Sequence, residues 1–193
     1  MSSSLAFKAA AGTMATGGVA GGGYLIHSHV SNKTLNKDIL SQREKKALPQ
    51  GDSRWGVAFS KYQKKSKSDN QYQTSPASTT SNELENWCLK GLDSPHEEKL
   101  YSKIEKLCTV PSISEYLETQ SKTLLTAFTT KESNYRSHDQ NDNLLIPKEE
   151  IGAEKAQVTS AQIQQWCTSS ISKEFKDASD VLYKRVEKWC LNG

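Results

Sequence analysis

The sequence predicts a mainly α-helical protein: an N-terminal Gly/Ala-rich membrane-type helix followed by two tandem helical modules with polar linkers. Three observations predict it. Apolar residues recur at helical spacing, no stretch shows the period-two alternation of a half-buried strand, and a set of apolar anchors occurs twice in the same order.

The repeat is the most informative of the three. Leu100-Tyr101-Ser102-Lys103-Ile104-Glu105-Lys106-Leu107-Cys108 matches Leu182-Tyr183-Lys184-Arg185-Val186-Glu187-Lys188-Trp189-Cys190. Upstream, Leu84-Glu85-Asn86-Trp87-Cys88 matches Ile163-Gln164-Gln165-Trp166-Cys167. A looser anchor aligns Trp55-Gly56-Val57-Ala58-Phe59 with Leu124-Leu125-Thr126-Ala127-Phe128. The chain then divides into an N-terminal segment (1–30), a basic juxtamembrane linker (31–52), module 1 (53–110) and module 2 (111–193).

The first of these, from Ala9 to Ile26, carries no charged side chain, and six of the protein's 11 glycines lie between Gly12 and Gly23. Its length suits a bilayer span. Gly17 with Gly21, and Gly18 with Gly22, have the spacing that lets helices approach closely in lipid, so this segment is also a candidate for self-association. Its few large apolar residues keep a flexible tail and a cleaved signal peptide open as alternatives to a single-pass anchor. Five basic residues follow the segment between Lys33 and Lys46, against Lys8 alone before it, which favours an internal body. The cysteines favour an external one.

In module 1, Thr80 with Glu83 has capping-box spacing, and Leu84, Trp87 and Cys88 share a face that Gly91 is expected to end. Ser94-Pro95-His96-Glu97-Glu98 reads as a helix start, with Leu100, Tyr101, Ile104 and Leu107 as its buried stripe. In module 2, Ile113 to Phe128 is expected to be helical, with Leu117, Leu124, Leu125 and Phe128 inward. A helix opened by Thr159 or Ser160 carries Ile163, Trp166 and Cys167, and a longer one runs from Phe175 through Leu182 and Val186 to Trp189. Gln63 to Ser81 and Lys131 to Asn143 read as linkers, for they are almost without large apolar residues.

Four cysteines at equivalent points of a repeat suggest the disulfides Cys88–Cys108 and Cys167–Cys190. Such bridges require each pair of helices to cross, or an irregular loop to double back, because in a tight hairpin Cys108 would lie about 20 Å beyond the turn. The alternative is four buried free thiols beside tryptophan. The sequence holds no CxxC pair, no phosphate-binding glycine loop and no histidine cluster, so no catalytic residue, cofactor or metal ligand is assigned and an enzyme is not expected.

Between Arg43 and Lys67 stand eight basic residues, Arg43, Lys45, Lys46, Arg54, Lys61, Lys64, Lys65 and Lys67, against Glu44 and Asp52. That local excess is larger than the net charge of +3 carried by the whole chain. With Trp55, Phe59 and Tyr62 interleaved, the stretch is a candidate patch for an anionic partner, either nucleic acid or lipid headgroups.

A short N-terminal segment with Lys8, an Ala/Gly-rich stretch ending Ala20-Gly21-Gly22-Gly23-Tyr24, and a body punctuated by Trp-Cys and Leu-Tyr-x-x-x-Glu-Lys-x-Cys resembles the paralogous proteins of haemotropic mycoplasmas. The resemblance covers most of the chain and implies a member of an expanded family in a wall-less, blood-dwelling bacterium, displayed at the cell surface. It transfers no functional residue. The expectation is a membrane-anchored surface or interaction protein, contacting lipid through residues 9–26 and a host or cell-surface protein through its body. The competing expectation is an intracellular basic protein that uses residues 43–67 on nucleic acid or the inner leaflet.

Overall fold

Nine α-helices order the 160 residues, 33–192, that the computed structural model describes. They are α1 (Asn36–Gln42), α2 (Trp55–Lys65), α3 (Ser81–Leu92), α4 (Glu98–Leu107), α5 (Ile113–Thr119), α6 (Thr129–Ser137), α7 (Lys148–Ile151), α8 (Ser160–Ser170) and α9 (Val181–Cys190). Strand-like pairing among the described residues is limited to four isolated bridges. The Gly/Ala segment expected to span a membrane lies outside the described residues. Among those described, no helix is long and apolar enough to cross one.

Capping chemistry sets where several helices start. The Thr80 hydroxyl accepts the Glu83 N–H at 3.2 Å, and Ser112 with Glu115 and Thr159 with Gln162 form full capping boxes at α5 and α8. Two expected boundaries move for a tertiary reason. Helix α4 begins at Glu98, not at Ser94, because Ser94 to His96 pairs in extended form with Thr34 to Asn36. Helix α9 begins at Val181, with Asp180 as its cap, and Phe175 sits upstream in a segment paired with Pro111 to Ile113. Likewise the helix expected over Ile113 to Phe128 stops at Thr119, and Ser121 turns left-handed at φ 57°. Leu125 then donates its N–H to Cys190 O at 2.9 Å, so Leu124 and Leu125 are spent in extended pairing.

Residues 31–52 do not serve as a linker over their described part. Helix α1 and the extended Ala47-Leu48 belong to the first core, where Leu40 and Leu48 are buried with Trp55, Tyr62, Leu84, Tyr101 and Ile104. Ile39, Leu40, Ala47 and Leu48 fasten the stretch to that core, while the charged side chains from Lys33 to Lys46 stay exposed. The two polar stretches are also ordered. Tyr62 takes the Ser78 N–H on its phenol oxygen at 3.0 Å, and Tyr135 on α6 donates its phenol O–H to Ile146 O at 2.8 Å. A single buried tyrosine thus anchors each loop that lacks aliphatic residues.

The second core gathers Ile113, Leu117, Phe128, Tyr135, Ile146, Val158, Ile163, Trp166, Tyr183, Val186 and Trp189. The same main-chain bonds recur in both halves. Asn36 donates to Ser94 O and Ile113 to Lys173 O; Leu48 donates to Cys108 O and Leu125 to Cys190 O; Lys45 donates to Leu40 O and Lys122 to Leu117 O. Glu44 and Ser121, the two non-glycine residues with positive φ among the described residues, stand at matching points, at 55° and 57°. Corresponding segments therefore run from Thr34 and from Pro111. Beyond Leu48 and Leu125 the second half is four residues shorter: buried Trp55 then matches buried Phe128, one helical turn from the match that sequence alone suggests, and buried Tyr62 matches buried Tyr135, each seven residues further on.

Gly91 lies inside α3 rather than at its end, and the reason is contact. A Cβ there would meet Ile104 Cδ1 at 3.0 Å. At the matching positions module 2 has Ser170 and the smaller Val186, both fully buried. We expect Gly91→Ala to be near neutral, because about 1 kcal/mol of helix propensity offsets the crowding. With Ile104→Val in the background the same substitution is expected to stabilise, which a denaturation cycle of the four proteins would read. Destabilisation by Gly91→Ala that persists in the Ile104→Val background would refute the contact argument.

Candidate functional site

Both cysteine pairs are closed within their own modules: Cys88 to Cys108 with Cα atoms 5.4 Å apart, and Cys167 to Cys190 at 5.6 Å. Among the described residues no cysteine is free. No tight hairpin joins the helices of either pair. Cys88 stands one turn before the end of α3, while Cys108 follows the last residue of α4, about 15 Å along that helix from its start. An extended link between them is pinned to residues 34–36, and the far end of α4 meets Cys88. In module 2 a ten-residue link precedes α9, whose far end meets Cys167.

The structure scatters the basic residues expected to form one patch, and it engages six of the eight. Arg43 lies over the Tyr101 ring at 4.6 Å. Arg54 bonds Asp52 at 2.8 Å, Glu174 at 2.6 Å and the Phe175 carbonyl at 3.1 Å. Lys61 pairs with Glu115 and donates to Lys106 O; Lys64 donates to the carbonyls of Glu118 and Thr119; Lys65 pairs with Glu118. Lys46 is 3.4 Å from Glu174. Lys45 and Lys67 are exposed and make no ion pair among the described residues.

What these contacts build is a clasp between the modules. One face of α2 lies along α5, its lysines on the acids and last carbonyls of that helix, where a cation also complements the dipole. Lys61 is only 11% exposed, and Val57 of α2 packs into the second core. Burial works to raise the Glu115 carboxyl, but the Lys61 charge and hydrogen bonds from Lys61 and Ser112 hold it below the ordinary carboxylate value. Arg54, through its hydrogen bond, lowers Glu174 and Asp52 in the same direction. The positions matching Lys61 and Lys64 in α6 are Asn134 and Ser137, so the clasp is made once.

Sequence reasoning missed the acids that complete it. Glu115 and Glu118 look like helix-start and surface residues, and only Ser112-x-x-Glu115 carried a readable signal, that of a cap. In module 2 a second polar group, His138, Asp142 and Lys188, fastens the loop after α6 against Trp189, with Asp142 Oδ2 2.5 Å from both partners. Hydrogen bonds from His138 and then Lys188 push the Asp142 carboxyl well below its ordinary value. The described residues include no cluster of three or more His, Cys, Asp or Glu able to hold a metal.

Fold and site together define a class: a helical protein of two disulfide-bonded modules joined by a charged clasp. Comparison of the chain with protein-family models, with curated proteins and with solved structures finds no match to any of them.

Proposed function

We propose that this chain is a surface-displayed interaction protein, held at the membrane by residues 9–26, with residues 33–192 as an exported, disulfide-locked body. The observation that carries the reading is the closure of both cysteine pairs at corresponding points of the two modules. Structural disulfides persist in oxidising surroundings and are rare in a reduced cytosol. The basic stretch supports the same side of the choice. Arg54 and Lys61 are largely buried in ion pairs and Lys64 and Lys65 lie along α5, so the stretch offers an anionic partner fewer cations than its sequence holds.

Protease added to intact cells of the native organism is expected to degrade the body, and alkylation without reduction is expected to label none of the four cysteines. The full chain should stay with membranes through carbonate extraction, whereas a chain starting at Lys33 should not. A protease-protected body carrying four alkylated thiols would overturn this reading in favour of an intracellular protein.

A further inference from the structure

Among the described residues no helix covers the surface of α3 around Trp87, while the matching surface of α8 is covered by α7. Fifteen residues connect α2 to α3, but 22 connect α6 to α8, and the longer connection includes α7. On α7, Glu150 accepts the Trp166 indole N–H at 2.9 Å and lies 3.7 Å from Lys173 Nζ. Ile151 beside it is buried in the second core, and Trp166 is 3% exposed.

The register of the two cysteine pairs assigns Trp166 to Trp87 and Lys173 to Ser94. Trp87 and Ser94 both line a groove of about 600 Å³, walled by Pro76 and Ala77 on one side and by Glu83 and Lys90 of α3 on the other. The indole groups of Trp55, Trp166 and Trp189 each donate a hydrogen bond, but that of Trp87, only partly buried, meets no acceptor among the described residues. Lys90 brings a cation to the groove where module 2 has Ser169.

We propose that this groove binds a short helical segment of a partner protein carrying an acidic residue followed by an aliphatic one, seated on α3 as α7 is seated on α8. The acid takes the Trp87 N–H and faces Lys90, and the aliphatic side chain covers the indole, an arrangement in which a tryptophan and a charge-assisted bond contribute most of the affinity. A second copy of this chain is the weaker occupant, because its own α7 is already held by Trp166. The proposal deepens the interaction role proposed above by assigning its contact surface, and it rests on that role.

The test uses the intact, oxidised chain and, as probe, an end-blocked peptide of residues 147–154, Pro-Lys-Glu-Glu-Ile-Gly-Ala-Glu. The indole N–H resonance of Trp87, assigned by its loss in Trp87→Phe, is expected to shift saturably with peptide while that of Trp166 stays in place. Glu150→Gln in the peptide, and separately Lys90→Ala in the protein, are each expected to weaken binding about tenfold or more, since each removes a charge-assisted contact. Lys90 is exposed on α3, so its truncation leaves the fold intact. A lack of saturation at millimolar peptide, a response at Trp166 instead of Trp87, or equal binding by both peptides would overturn the proposal. So would dimerisation abolished by Lys90→Ala, which would put a second copy in the groove. The purified protein reads this binding wherever the cell places it, so failure here and failure of surface display are separate results.

Discussion

Reduction of the two disulfides is expected to unfold the protein, or to bring it to the edge of unfolding, at 25 °C. Each bridge closes a short loop, with sequence separations of 20 and 23 residues, and loops of this size correspond to about 3 kcal/mol each in the chain-entropy account. Two such contributions rival the whole net stability of an ordinary domain, roughly 5–15 kcal/mol. The cores leave little reserve: Leu, Ile, Val and Phe make up 36 of 193 residues, and the apolar surface is divided between two clusters. Urea unfolding with and without reductant measures the effect, and Cys88→Ala with Cys108→Ala separates one module from the other. Midpoints that differ by less than the error would mean that packing alone maintains the fold.

The second large effect is expected from the clasp. Lys61→Ala removes a mostly buried cation and leaves Glu115 facing α2 without its partner, a loss of about 2 kcal/mol once the remaining solvent screening is allowed for. Arg54→Ala should cost a similar amount, since Asp52, Glu174 and the Phe175 carbonyl all lose their donor. Because folding lowers the carboxyls of Glu115, Glu174 and Asp52, the stability they contribute is present above their ordinary values, 4.5 for Glu and 3.8 for Asp, and is lost as pH falls below them. Glu115→Gln with Glu174→Gln should flatten that acid limb. An acid limb unchanged in the double variant would assign it to other carboxylates, and an unchanged midpoint in Lys61→Ala would dismiss the clasp as an energetic feature.

Helices with a local start signal were legible. Thr80 and Thr159 stand where caps were expected, because a hydroxyl three residues before Glu83 or Gln162 satisfies an orphan N–H whatever the rest of the molecule does. The cysteine pairing was legible from the repeat, because equivalent positions in two modules imply one bridge in each. The extended segments were not. Ser94 to His96, Leu124-Leu125 and Phe175 sit in helix-compatible sequence, yet each is paired with a distant segment that supplies its hydrogen bonds. The basic stretch was misread for a related reason. Charge density along the chain shows that a patch exists, but not that α5 and Glu174 bring acids against it.

By itself the sequence determined the helical class, the two-fold recurrence of Trp-Cys and Leu-Tyr-x-x-x-Glu-Lys-x-Cys, and the cysteines that pair, since each depends on residues close in the chain or on their spacing. The tertiary structure decided where four helices begin or end, that residues 34–52 belong to a core, that six basic residues close onto the molecule, and that Trp87 is open where Trp166 is covered. Most of those outcomes depend on pairings across about 50 to 130 residues, and the cover on Trp166 on a contact 16 residues away. Local periodicity carries no information about such partners, because the free energy of the contact resides in both segments together.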